Sequence, residues 1–230
     1  MFEEHAKFDP RRDGKVPVSR SPMALVIRAP LAFGSMLFSR HPMDAPRWLR
    51  SMIQRCRPLS YGMPWITFGA IRALAPLARP ETRVFEFGSG HSTLWWAEHG
   101  AEIHSVEDDE SWHGLLAERI AGMPKAHLYF EPGQQGYLSR IDRVGGPFDV
   151  VVVDGSHRKD CLAKAIDHVK PGGLLVVDNT DWHWFSDVDD YVPTSWTKRV
   201  YAGWAPFIGH RSQTTLWTRS EPAGEERCAT

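Results

Sequence analysis

Up to about residue 80 the apolar positions recur at helical spacing, and beyond it they gather into short runs separated by polar stretches of helix length. The clearest helical signal lies in residues 65–77, where Trp65, Phe68, Ile71, Leu74 and Leu77 recur at three-residue steps. Residues 23–38 are the most apolar early stretch, interrupted by Arg28 and Pro30 and too short to span a bilayer. Prolines at positions 30, 42, 46, 58, 64, 76 and 80 break the region into pieces. Residues 1–22, polar and rich in Arg, Lys and Asp, read as a poorly ordered tail, and residues 23–80 as a helical extension.

Residues 83–87 (RVFEF) then predict a strand, followed by a glycine turn at 88–90 and a helix through Glu98. Residues 103–106 read as a second strand, 110–121 as a second helix and 127–130 as a weaker third strand. The run FDVVVV at 148–153 is almost wholly apolar, as a strand covered on both faces must be. A helix over about 159–169 stops at Pro171-Gly172-Gly173, and 174–177 form a fifth strand. This alternation predicts a parallel sheet with right-handed crossovers. Residues 197–204 and 214–219 differ, reading as two strands with only a turn between them. The expected fold is α/β: a doubly wound, mostly parallel seven-stranded sheet over residues 81–220 with a C-terminal antiparallel hairpin, then a short tail at 221–230.

Composition sharpens the picture only a little. With 42% apolar and 24% charged residues the chain can bury a sizeable core. Its net charge of -1 offers no global field for nucleic acid or an anionic membrane, so neither is expected as a partner, although a homo-oligomer is possible. Cys56, Cys161 and Cys228 are far apart and odd in number, which suggests neither a disulfide framework nor a thiolate zinc site. The beginning of the chain lacks an apolar secretory core, and a reducing cytoplasm is the expected setting.

The candidate chemistry starts at the first turn. In Glu86-Phe-Gly88-Ser89-Gly90-His-Ser92-Thr93 the glycines allow a ligand close to the backbone, and the following helix presents free N–H groups. Thr93 stands where a dinucleotide fingerprint has its third glycine, which disfavours a nicotinamide oxidoreductase. Glu86 would repel a pyrophosphate yet could meet the ammonium of a methionine moiety. Glu107, about 20 residues beyond the glycines, ends the second strand, where an acid can accept both ribose hydroxyls; Asp108 follows it. Together these positions favour an adenosine-bearing ligand over the alternative of solvated loop acids.

With these residues in view, the chain resembles the class I S-adenosylmethionine-dependent methyltransferases. The likeness rests on Val84-Phe-Glu-Phe-Gly-Ser-Gly-His-Ser-Thr93, Ser105-Val-Glu107, Phe148-Asp-Val-Val-Val-Val-Asp154-Gly-Ser-His157 and Lys170-Pro-Gly-Gly-Leu-Leu-Val-Val-Asp178-Asn179. It covers roughly residues 65–219 and leaves the N-terminal quarter unexplained. Within the superfamily it is nearest to small-molecule and sugar O-methyltransferases with a metal site like that of catechol O-methyltransferase. The resemblance implies S-adenosylmethionine as cofactor, held by Glu86, Gly88, Ser89, Gly90, Ser92, Thr93, Glu107, Asp108 and Asp154.

It further implies a divalent cation on Asp154, Asp178 and Asn179. Adjacent parallel strands lie about 4.8 Å apart, so residues leaving their C-terminal ends can share one ion. An all-oxygen set suits Mg2+ or Mn2+; the competing reading is that Asp154 merely caps a turn. His157 stands where catechol-type enzymes place a lysine base, and related sugar O-methyltransferases use histidine there. A helix N-terminus disfavours imidazolium, which would suit His157 to accept a hydroxyl proton; a capping or core role is the alternative. The aromatic segment Trp182, Trp184 and Phe185 either stacks on an acceptor or anchors its loop. Trp112 against adenine, His104 and the basic stretch Arg50, Arg55 and Arg57 have packing or solvated-face readings that are the stronger ones.

The expected activity is therefore O-methylation of a small molecule or sugar, on one hydroxyl of a vicinal pair, with Asp154 and His157 as catalytic residues. A metal-independent N- or carboxyl-methyltransferase and a non-catalytic cofactor-binding module are the rivals.

Overall fold

The computed structural model describes residues 22–54, 59 and 62–221. The expected N-terminal tail up to residue 21, Arg55, Cys56, Arg57, Pro58, Cys228 and the tail at 222–230 lie outside the described residues.

The sheet is built of β1 (Arg83–Phe87), β2 (Glu102–Glu107), β3 (Ala126–Phe130), β4 (Phe148–Val153), β5 (Val169–Asp178), β6 (Thr197–Trp204) and β7 (Arg211–Thr218). Their order is β3-β2-β1-β4-β5-β7-β6, with the first five parallel and β7 antiparallel to both β5 and β6. The helices α1 (Pro22–Leu37), α2 (Asp44–Gln54) and α3 (Phe68–Leu74) precede the sheet. Within it come α4 (His91–Glu98), α5 (Glu110–Ile120), α6 (Gln134–Val144) and α7 (Arg158–His168). This is the expected fold. The strand order reverses between β1 and β4, and in open α/β sheets the crevice at such a point, outside the carboxyl ends of the strands, takes the ligand.

The valines of β4 show why the sheet is buried on both faces. Val151 and Val153 pack with Phe85, Phe87, Leu175 and Val177 against Tyr137 and Ile141 of α6 and Leu162 of α7. Val150 and Val152 turn the other way, with Val84, Ile103 and Val176, against Trp95 and Trp96 of α4 and Leu74 of α3. All four valines are buried, which stabilises the strand by roughly 1.5–3 kcal/mol for each.

Two elements depart from the sequence reading. Helix α6 has no counterpart there: Gly133, Gly145 and Gly146 flank it and Gly136 lies within it. Its signal was the spacing of Tyr137, Leu138, Ile141 and Val144. The helical stretch expected over 65–77 is shorter: Thr67 caps α3, its Oγ1 accepting from the Ala70 N–H, and Trp65 stays outside. Helix α1, in contrast, continues through Pro30.

The N-terminal helices are fastened to the β6–β7 end of the sheet. Trp48 Nε1 donates to the Ile208 carbonyl at 2.8 Å, Phe207 N–H to Ser51 Oγ at 2.9 Å, and Trp204 Nε1 to Ser35 Oγ at 3.1 Å. Arg72 grips both carboxylate oxygens of Asp44 at 2.8 and 2.7 Å. The extension thereby carries Trp65 and the β6–β7 loop to the C-terminal edge of the parallel strands.

Candidate cofactor and acceptor site

The turn after β1 is shaped by backbone contact. Gly88 has φ +99°, and a Cβ there would lie 2.8 Å from Gly155 Cα, so the loops after β1 and β4 touch at their glycines. At Gly90 a Cβ would meet the Trp112 ring at 3.4 Å, and Trp112 Nε1 donates to the Ser89 carbonyl at 2.8 Å. Trp112 thus does two jobs, packing with Leu116 and holding the glycine loop.

Thr93 has a reason to replace the third glycine. Its Oγ1 accepts from Gly90 N–H at 3.0 Å and donates to Glu86 Oε2 at 2.6 Å. Ser105 Oγ donates to the same carboxylate oxygen at 3.1 Å, whereas Glu86 Oε1 is buried with no hydrogen-bond partner among the described residues. Burial pushes the Glu86 carboxyl up to about 7, against the Ser92, Thr93 and Ser105 hydroxyls, with the charge of Asp154 adding to the rise. Glu107 is also buried and raised by burial; it accepts from Ser89 Oγ at 2.7 Å and from the N–H groups of Asp108 and Asp109 at 3.0 and 3.1 Å. A buried carboxylate oxygen without a donor, a cradle that only glycine permits and an acid at the end of β2 fit S-adenosylmethionine. Its ammonium would complete Glu86, and its ribose hydroxyls would reach Glu107.

A pH dependence follows from Glu86. The folded chain holds this proton more tightly than the unfolded chain does, so the unfolded state ionises first as pH rises. Folding loses on the order of 3 kcal/mol between the ordinary carboxylate value of 4.5 and about 7. A bound ammonium favours the ionised form and recovers part of that loss. The S-adenosylhomocysteine-induced rise in melting temperature should therefore be larger one pH unit above 7 than one unit below, and Glu86→Gln should flatten the difference. Equal shifts in the wild type would show that Glu86 does not face the ligand's cation.

The ends of β4 and β5 bring Asp154, Asp178 and Asn179 together, around a side chain that the sequence reading passed over. Arg158, only 10% exposed, lies between them. It donates from Nη2 to Asp154 Oδ1 and the Asp154 carbonyl, both at 3.0 Å, and from Nη1 to the Asp178 carbonyl at 2.6 Å and Asn179 Oδ1 at 3.2 Å. Nε reaches the Gly155 carbonyl at 3.1 Å, and the Trp182 ring centroid is 5.3 Å from Cζ. Asp178 Oδ1 accepts from Thr214 Oγ1 at 2.5 Å, and Asn179 Nδ2 donates to Ser212 Oγ at 3.1 Å. Burial, with Asp154's charge beside it, pushes the Asp178 carboxyl well up; burial also raises Asp154, opposed by Arg158. The oxygen donors suit a hard divalent ion, but two of the three are already engaged by a guanidinium. As arranged, the set does not fit Mg2+ or Mn2+.

Glu102, His104 and His127 form a second cluster, with donor atoms within 4.8 Å of one another. It lies on the first half of β2 and on β3, with His104 roughly 10 Å and Glu102 roughly 16 Å before Glu107 at about 3.3 Å per residue. His104 bonds to Glu102 Oε1 at 2.7 Å and Tyr129 Oη at 3.0 Å, and Arg83 takes the same Glu102 oxygen at 3.1 Å. This is a packed histidine network away from the cofactor end.

His157 takes the left-handed conformation, φ 52°, at the N-cap of α7, with its ring edge-on to the buried Tyr137 at 6.0 Å. In the aromatic loop Phe185 is wholly buried and Trp182 and Trp184 pack on the same core, so all three anchor, while Trp182 also covers Arg158. Of the rings that stand at the glycine turn, sequence points to Trp112 but not to His91, Trp65 or Phe207. His91, first in α4, stacks on Trp65 at 5.3 Å and meets Phe207 at 4.6 Å and Trp112 at 6.4 Å. Burial lowers His91 to about 4 and keeps it neutral. Trp65 follows the helical spacing of residues 65–77, and the loop carrying Phe207 is too far along the chain for spacing to connect them. Of the three cysteines Cys161 lies among the described residues, buried and unbridged. Among the described residues no helix is long and apolar enough to cross a membrane.

Residues 85–180 match the methyltransferase-domain family. A 47-residue stretch, 19% of the chain, is 45% identical to mycinamicin VI 2''-O-methyltransferase from Micromonospora griseorubida, of which it spans 12%. Among solved structures, a candidate O-methyltransferase from Klebsiella pneumoniae superposes with a TM-score of 0.53 at 16% identity, over 85% of this chain and 97% of that one. An rRNA methylase from Streptococcus thermophilus does so with 0.51 at 14% identity, over 68% and 100%. Such likeness concerns the fold, and because it extends to an rRNA methylase it does not support the expected exclusion of nucleic acid.

Proposed function

We propose that this chain, whose residues 85–180 match the methyltransferase-domain family, transfers a methyl group from S-adenosylmethionine to a hydroxyl of a small molecule or sugar. The observation that carries the reading is the pair of buried acids, Glu86 and Glu107, framing a glycine-lined turn at the C-terminal edge of the sheet, with the Asp154–His157 segment next to it. The cofactor brings an electrophilic methyl on a sulfonium, so the protein's task is alignment and proton removal.

Glu86 and Glu107 would hold the two polar ends of the cofactor, and the Gly88–Gly155 contact keeps the loops at the spacing that admits it. Asp154 leaves β4 where the two halves of the site meet, and Arg158 holds its carboxylate in place. His157 would accept the hydroxyl proton. The neutral His91, with Trp65 and Phe207, supplies an apolar wall that excludes water on the N-terminal side. The hydroxyl preference rests on His157 and on the short identity to an enzyme named for 2''-O-methylation.

The test is S-adenosylhomocysteine release with labelled cofactor over a panel of phenols, glycosides, amines, carboxylates and RNA. Label in an ether product of a phenol or glycoside is expected. Label only in amines, carboxylates or RNA would sink the reading.

A further inference from the structure

Arginine has five N–H groups in a fixed plane, and a buried arginine must place them all. Arg158 does so with five short contacts, every one to the C-terminal ends of β4 and β5 or the turn after β4. Three go to backbone carbonyls and two to the side-chain oxygens of Asp154 and Asn179. The surroundings fix these acceptors in turn. Ser212 Oγ takes the Asn179 amide donor, which leaves Oδ1 facing the guanidinium, and Asn179 itself has φ 58°. Trp182 closes the open face of the cation.

We propose that the Arg158 guanidinium is the resident cation of this site, standing where a divalent ion would otherwise join the ends of β4 and β5, so that the chain binds no catalytic metal. Two like charges a few ångströms apart in a partly buried site repel strongly, so an ion could enter only if Arg158 left five satisfied contacts. A consequence concerns the acceptor. With no ion to chelate two adjacent oxygens, a single hydroxyl suffices, and a vicinal pair is not required. Arg158 is thus a positioning residue: it orients Asp154 and Asn179 and supplies fixed positive charge.

The inference rests on the methyl-transfer reading only for its activity arm, because metal binding can be measured without turnover. Mn2+ should give no bound signal by electron paramagnetic resonance with the wild-type protein. Arg158→Ala frees Asp154 and Asn179 and should raise Mn2+ affinity by about 10–100-fold, the scale on which neighbouring groups tune a metal site. Retention of the S-adenosylhomocysteine thermal shift shows that the variant is folded; should it be lost, Arg158→Gln replaces it, keeping a planar donor without the charge. Turnover by the wild type should withstand exhaustive chelation. Stoichiometric Mn2+ binding by the wild type, or turnover abolished by EDTA and restored by magnesium, overturns the proposal. So does a folded Arg158 variant that binds manganese no better than the wild type. Absence of turnover on every acceptor would count against the methyl-transfer reading and leave the manganese titration to decide the role of Arg158.

Discussion

Gly88→Val should leave the chain unable to bind S-adenosylmethionine or its demethylated product. The backbone at Gly88 has φ +99°, a region closed to β-branched residues, and the new Cβ would fall 2.8 Å from Gly155 Cα and 2.9 Å from its nitrogen. Neither neighbour is a side chain that could swing aside. Strain and overpacking together should cost about 3–5 kcal/mol, enough to displace the loop or unfold a marginal domain. Gly155→Ala tests the same contact from the other strand, since its Cβ would lie 2.6 Å from Gly88 Cα and also press on the Tyr137 hydroxyl. In contrast, a Cβ at Gly114 in α5 meets nothing within 4 Å among the described residues, and Gly114→Ala should stabilise by roughly 0.5–1 kcal/mol. Melting curves with and without S-adenosylhomocysteine check all three. At a hundredfold excess over Kd the ligand should stabilise the wild type and Gly114→Ala by about 2.7 kcal/mol. A normal ligand shift in Gly88→Val would mean that the cofactor does not lie over this turn.

The sheet was legible because its strands are buried on both faces, which leaves runs such as FDVVVV that no amphipathic helix produces. The glycine turn and its two acids were legible because they are local: strand, turn and helix follow within a dozen residues, and Glu107 ends the next strand. What failed to show was whatever depends on distant parts of the chain meeting. Trp65 follows the helical period, yet Pro64 and the Thr67 cap leave it outside α3, and stacking on His91 determines its place. Arg158 was overlooked for a different reason. Next to a histidine with chemical appeal, an arginine in the first turn of a helix reads as solvated, and only the fold shows that β5 delivers the Asp178 carbonyl and Asn179 to it. The metal expectation came from Asp154, Asp178 and Asn179 by resemblance. The ends of β4 and β5 place these residues near one another, and a guanidinium lies among them. Helix α6 was lost among glycines, although the crossover from β3 at the sheet edge to β4 at its centre requires an element there.

Replacing His157 should separate a chemical role from a conformational one, because its backbone makes the two point in opposite directions. With φ 52° and ψ 35° the residue sits in the left-handed region, which costs a non-glycine residue roughly 1–2 kcal/mol. His157→Gly removes both the ring and the strain, so the folded chain should lose little stability or none. If the ring only packs on Tyr137, 6.0 Å away, glycine should leave turnover near the wild-type level, and any loss of packing should appear in the melting temperature. If the imidazole takes the acceptor's proton, turnover on alcohols should fall by about 10²–10⁴-fold while the S-adenosylhomocysteine thermal shift is unchanged. His157→Asn keeps a residue tolerant of the left-handed turn, offers no comparable base, and should fall as far as glycine does. The acceptor supplies a further discriminator. A phenol gives up its proton far more readily than a sugar alcohol, so its methylation should suffer less from either substitution. Single-turnover rates on one acceptor of each kind, for the wild type and both variants, check this. Turnover near the wild-type level on both acceptors, accompanied by a lower melting temperature, would assign His157 to packing and place the base elsewhere, with the exposed His183 of the aromatic loop the next residue to replace.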